Sequence, residues 1–179
     1  MCASARTVLF PVLTIVAAAM LFAPERAVSI DERSLSFYHT HTDERLDVVY
    51  ARGGEYLDEG LEEISGFLAD FRTDDRLAID PELLDFLYDL REAVGSRGTY
   101  EVISAYRSPQ TNEMLRRRSS NSGVATQSQH MVGKAIDVRL RGVALDKLRD
   151  TALAMQRGGV GYYPDSNFIH LDTARVRRW

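Results

Sequence analysis

Two histidines and two carboxylates fall in two short segments near the C-terminus. The first is Ser128-Gln129-His130-Met131-Val132-Gly133-Lys134-Ala135-Ile136-Asp137, and the second is Phe168-Ile169-His170-Leu171-Asp172. The whole chain has only four histidines, so finding two of them here is informative. Imidazole and carboxylate are ligands that suit Zn²⁺, and three protein ligands leave a fourth position open to water, as in a hydrolytic zinc site. A metal held this way polarises a carbonyl and brings the pKa of water toward neutrality. The expected ligands are His130, Asp137 and His170, holding one zinc per chain.

The spacing demands particular elements. Seven positions separate His130 from Asp137, too many for two ligands on one helix face, so a loop must run into a strand. Gly133 permits the sharp turn, and Asp137 then projects from a strand over 135–140. His170 is placed on a neighbouring strand over about 167–172, where alternation sets Phe168, His170 and Asp172 on one face. A further strand is expected at about 160–163, with a turn at Pro164-Asp165-Ser166 between the two. Upstream, Leu35–Tyr38 and Leu46–Tyr50 read as a hairpin. The apolar residues Leu57, Leu61, Ile64, Leu68 and Phe71 predict an amphipathic helix over 55–71. Asp80-Pro81 opens a second helix, with Asp80 as N-cap, and Gly95 closes it. Tyr100–Ala105 reads as a core strand, Ser108-Pro109 starts a short helix to about Arg118, and the polar residues 119–129 form a loop. Leu145, Leu148, Ala152 and Met155 mark a last helix. This order predicts an α+β fold, with a small mixed or antiparallel sheet and helices packed on it.

Taken singly, these residues have plainer explanations. His130 in a polar loop suits solvent exposure, and His170 suits a satisfied core histidine. Asp137 in an apolar strand is harder to dismiss, because an unpartnered carboxylate is costly to bury. Tyr162 and Tyr163 could line a groove or fill the core. His39 and His41, beside a hairpin turn, are expected to be solvated. Trp179 is expected to pack at the surface or to cover the site.

The chain has 179 residues and a formal net charge of −4. With no long basic run, a nucleic-acid partner is not expected. The one cysteine, Cys2, excludes an internal disulfide. Val8–Phe22 is an apolar run broken by Pro11 and Thr14, about the length of a signal h-region and short for a membrane span. Residues 1–30 are therefore expected to be a signal peptide or an N-terminal anchor, the only expected link to a membrane. Residues 31–179 would be the working domain, exported to the periplasm or the cell-wall side of the inner membrane.

Ser-x-His-x-x-Gly-x-Ala-x-Asp, the later strand histidine and Ser104-Ala105-Tyr106-Arg107-Ser108 together resemble the M15, or D-Ala-D-Ala carboxypeptidase-like, zinc peptidases. Gly158–His170 and the terminal Arg-Arg-Trp resemble the branch catalogued as DUF882. The resemblance covers roughly residues 35–179. It implies the Hedgehog/D-Ala-D-Ala peptidase-like fold, zinc on His130, Asp137 and His170, and peptidoglycan peptide stems as substrate. Within that branch, hydrolysis of L,D-type cross-links between diaminopimelate residues is the implied reaction. Arg107 matches the family's Tyr-Arg element and would face the substrate carbonyl or carboxylate, where a guanidinium suits a developing oxyanion. Ser128 would brace the ligand loop, and Tyr163 would contact substrate. Many M15 enzymes carry a glutamate general base three residues before the last histidine, and this chain has Asn167 there. Asp172 is the candidate replacement, either as a proton shuttle or as a carboxylate that orients an imidazole; Asp165 is a weaker one. Other outcomes are a catalytically inactive peptidoglycan-binding module with a structural zinc, and a D,D- or L,D-carboxypeptidase.

Overall fold

The computed structural model describes residues 31–118 and 124–179. The expected export segment, residues 1–30, and part of the polar loop 119–129 lie outside the described residues.

Strands β1 (Glu32–His39) and β2 (Arg45–Arg52) form the expected hairpin. The first helix is shorter than its apolar repeat suggests. Gly53 and Gly54, both at positive φ, turn the chain so that β3 (Glu55–Tyr56) pairs with the end of β2, and helix α1 covers only Asp58–Phe67. Leu68 and Phe71 continue the apolar spacing without helical backbone. Leu68 is fully buried, and the Phe71 ring stacks on His41 at 4.4 Å. His39 corrects the expectation of a solvated pair. It is 1 % exposed and packs edge-on against Phe71 at 5.3 Å, and burial lowers its pKa.

Helix α2 (Pro81–Ala93) starts as its sequence predicts. The Asp80 carboxylate accepts from the Glu82 N–H, and Pro81 occupies the first turn. Strand β4 (Tyr100–Ser104), helix α3 (Pro109–Arg117), strand β5 (Ala135–Leu140), helix α4 (Leu145–Met155), strands β6 (Gly159–Tyr163) and β7 (Phe168–Asp172) and the short β8 (Arg177–Arg178) follow. The sheet has eight strands in the order β3-β2-β1-β4-β5-β7-β6-β8. Beyond the six strands expected it includes β3 and β8, two-residue edge strands that leave no periodic signal. It is mixed: β1–β4 and β6–β8 run parallel and the other pairs antiparallel.

The two faces of this sheet divide the labour. Ile136, Val138, Leu140, Val160, Ile169 and Leu171 point to the core, which they share with Ile64 of α1, Leu83 and Leu87 of α2, and Leu148 and Ala152 of α4. Alternation sends Asp137, Gly159, Gly161, Tyr163, Phe168, His170 and Asp172 to the other face. Among the described residues, no helix is long and apolar enough to cross a membrane.

Candidate metal centre and cleft

Register sets the ligands. Strands β5 and β7 pair antiparallel with Asp137 directly opposite His170, so their side chains leave the same face together. The Asp137 Oδ1–His170 Nδ1 distance is 2.8 Å. His130 arrives from a short 3-10 helix, Gln129–Val132, whose N-cap Ser128 accepts from the His130 N–H at 3.4 Å. Gly133 ends that turn at φ 68°, and a Cβ there would lie 2.3 Å from the Ala78 carbonyl oxygen. Only glycine satisfies both demands. His130 Nε2 then lies 3.2 Å from His170 Nδ1 and 3.3 Å from Asp137 Oδ1.

The hydrogen bonds behind the rings assign their tautomers. His130 Nδ1 lies 2.6 Å from the Ala105 carbonyl oxygen, so it carries the proton and donates. His170 Nε2 lies 3.0 Å from Asp172 Oδ2 and donates there. Both inward nitrogens are left as bare lone pairs beside a carboxylate oxygen. Three acceptors facing one another repel unless a cation sits among them. This cluster is the one among the described residues with the donor set and closeness for a metal. Tetrahedral ligands on bonds near 2.05 Å sit about 3.3 Å apart. Two of the three separations match that value, and the third is compressed to hydrogen-bond length. Burial pushes the Asp137 carboxyl up, but His130 and His170 outweigh this and hold it far below the usual carboxylate range. Burial works to lower His170, and Asp137 and Asp172 outweigh it to raise its pKa. A proton and a metal therefore compete for the His170 Nδ1 position.

Asp172 has no exposed surface. It accepts from Gly159 N–H at 3.1 Å, Ala174 N–H at 2.9 Å and the Arg177 guanidinium at 2.6 Å, besides His170. It is absent from the cleft wall. A shuttle to bound substrate is out of its reach, so of its two expected roles the geometry fits the one that orients an imidazole. Burial raises its pKa, and the bonds from His170 and Arg177 outweigh that and hold it well below the ordinary range. Asp172→Asn is expected to keep the fold and weaken zinc binding by roughly 10- to 100-fold, since a ring loses its charged partner. Competition against a chromophoric chelator measures this.

Arg107 stands at the other end of the cluster. Its backbone N–H donates to the His130 carbonyl at 3.2 Å. Residues 105 and 107 thus grip His130 by a carbonyl and an N–H, which is why the Ser-x-Tyr-Arg-Ser segment accompanies the histidine loop. Arg107 is 8 % exposed, and its guanidinium lies 4.0 Å from Asp137 Oδ2 and is bonded to Asn112 Oδ1 at 3.3 Å. Its Nε has no partner among the described residues. Burial lowers its pKa, and Asp137 and Asp70 oppose the fall.

Several supports escaped sequence reasoning. Asn112 also donates to the Ala125 carbonyl at 3.1 Å, tying Arg107 to the loop over the site. Asp70, 1 % exposed, accepts from the Ser108 N–H at 2.9 Å and the Ser108 hydroxyl at 2.8 Å, which anchors the start of α3. Neither position carries a local signal beyond a polar residue in a short motif. Asp165 is likewise absent from the cleft wall, and Asn167 holds a positive-φ turn position. The open cleft above the cluster encloses about 390 Å³, and its wall includes Arg107, Ser128, Tyr163, Phe168, Arg177 and Trp179.

The family model for peptidase M15_2, described as Peptidoglycan L,D-endopeptidase MepK, matches residues 27–179. This chain belongs to that family. The MepK of Escherichia coli K12, named a peptidoglycan L,D-endopeptidase, is 43 % identical over 147 residues, 82 % of this chain and 80 % of the relative. A probable peptidoglycan L,D-endopeptidase MepK of Haemophilus influenzae is 42 % identical over 148 residues, 82 % of this chain and 78 % of its own. No solved structure gave a significant match. The family match takes in every strand and helix described and the whole cleft wall.

Proposed function

We propose that this protein is an exported zinc endopeptidase that hydrolyses peptide cross-links of bacterial peptidoglycan, the L,D-type bonds between diaminopimelate residues among them. The observation that carries the reading is the trio of inward acceptors, His130 Nε2, His170 Nδ1 and Asp137 Oδ1, at 3.2, 3.3 and 2.8 Å in an open cleft. Two imidazoles and one carboxylate, with room on the open side, fit a catalytic zinc better than a closed structural one. The names of the relatives supply the bond; the donor set supplies the metal. When bound, zinc would polarise the scissile carbonyl and acidify water.

The residues of the chain do the rest. Ala105 and Asp172 hold the two imidazoles in the ligating tautomers. Arg107, pinned by Asn112, lines the cleft, and its guanidinium holds the substrate carbonyl oxygen as it gains negative charge. Ser128 fixes the entry of the His130 loop. Residues 1–30 serve as signal or anchor, which places the enzyme in the periplasm, where its substrate lies.

Mass spectrometry of cross-linked muropeptides decides the matter. Incubated with the zinc-loaded protein, dimers are expected to become monomers whose masses name the bond, and a zinc chelator is expected to stop the conversion. Dimers left intact with zinc bound would leave a wall-binding module instead. Trimming of terminal residues without loss of cross-links would indicate a carboxypeptidase.

A further inference from the structure

Strand β6 reads Gly159-Val160-Gly161-Tyr162-Tyr163, and its first, third and fifth residues face the metal cluster. The two glycines leave space, and the end of the chain fills it. A Cβ on Gly159 would lie 2.5 Å from the Arg177 guanidinium, and one on Gly161 would lie 2.7 Å from the Trp179 ring. The indole therefore lies against the strand, its ring 5.2 Å from the His170 ring. Its Nε1–H donates to the Tyr163 hydroxyl at 2.7 Å. On the other side, the Tyr163 ring stacks on Phe168 at 4.6 Å. The phenol oxygen is thus fixed by an accepted bond, and among the described residues nothing takes its own proton. Tyr163 and Arg107 both line the cleft.

Asp137 is the only carboxylate on the described cleft wall, and it belongs to the metal cluster. Hydrolysis there gathers negative charge on the carbonyl oxygen with no neutral donor yet assigned to share it. Resting on the hydrolase reading above, we propose that Tyr163 is a catalytic hydrogen-bond donor to that oxyanion, and that Trp179 is the positioning residue that sets its direction. An accepted hydrogen bond strengthens the phenol as a donor. No bond to Tyr163 forms or breaks: water adds to the carbonyl carbon, the C–N bond cleaves, the amine leaves with a proton drawn from water, and the phenol keeps its own.

Four zinc-loaded proteins test this: the unaltered chain, Tyr163→Phe, Trp179→Phe and the double variant. Each is assayed on cross-linked muropeptide dimers and titrated with a phosphinate analogue whose anionic oxygen copies the oxyanion. Tyr163→Phe is expected to lower kcat on the order of 10²-fold while KM moves less than about threefold. Its phosphinate affinity should fall by a similar factor, with zinc content and Tm unchanged. Trp179→Phe keeps a ring over Gly161 and loses the Nε1 donor, so kcat should fall about tenfold, and in the double variant it should add nothing to Tyr163→Phe. An unchanged kcat and phosphinate affinity in Tyr163→Phe, or a loss confined to KM, overturns the proposal and leaves the peptidase reading intact. If the unaltered chain binds phosphinate but cleaves no dimer, the peptidase reading fails, and equal phosphinate affinity in Tyr163→Phe then overturns this one separately.

Discussion

His170→Ala is expected to abolish cross-link cleavage while the protein stays folded. The imidazole projects into the cleft from the centre of β7, whereas its neighbours Ile169 and Leu171, both fully buried, carry that strand's share of the core. Loss of the ring would remove one of the three candidate metal ligands and leave Asp137 with His130 and, at 4.0 Å, the Arg107 guanidinium. Asp172 keeps its Arg177 partner, so no buried charge is stranded outright. Zinc per chain should fall from about one equivalent to under about 0.1 after dialysis. Activity should fall by more than about 10³-fold, the upper loss for a single oxyanion donor, because the metal is the larger electrostatic term. Metal analysis, circular dichroism and the muropeptide assay read the three expectations. Wall cleavage persisting in the variant would sink the assignment of the site, and a collapsed spectrum would make His170 a folding residue instead.

Gly133→Ala carries the second large effect, and it acts through the backbone. An alanine at φ 68° costs about 1–2 kcal/mol in the left-handed region. Its Cβ would also stand 2.3 Å from the Ala78 carbonyl oxygen, which is main chain and cannot swing aside. Relief requires moving the loop that carries His130 away from the 78–80 segment, where Asp80 N–H donates to the Gly133 carbonyl at 3.0 Å. The total destabilisation should reach about 3 kcal/mol, a Tm loss of roughly 10 °C for a chain of this size. Zinc affinity should fall too, because His130 sits on the displaced turn. Gly142→Ala is the control: its φ is 79° with nothing within 4 Å, so it should lose only the conformational share. Equal thermal shifts in the two variants would show that the contact with Ala78 costs nothing.

Much of the frame was legible in the sequence because it follows from short-range rules. Asp80-Pro81 starts α2 through a side-chain cap and a preset φ, and β5 occupies the span its alternation predicts, Ala135–Leu140. His130, Asp137 and His170 stand out because a carboxylate in an apolar strand needs a partner and histidines are scarce, and the resemblance to the M15 zinc peptidases turns that hint into a ligand set. The end of α1 was not legible. Leu68 and Phe71 keep helical spacing for other reasons, one filling the core and the other stacking on His41. The burial of His39 was hidden likewise, since the rings that cover it come from a distant segment.

The sequence by itself determined most of the helices and strands, the candidate ligand types and the glycine that the His130 turn demands, because periodicity, capping and backbone freedom act within a few residues. Only the tertiary structure shows Arg177 and Gly159 closing over Asp172 and setting it behind His170. It alone brought Ala105 behind His130, Asn112 onto Arg107 and Trp179 onto Tyr163. These are pairings of polar atoms brought together by chain packing. A hydrogen bond needs its partner within about 3 Å and in line, and no local pattern specifies which distant residue will meet that demand.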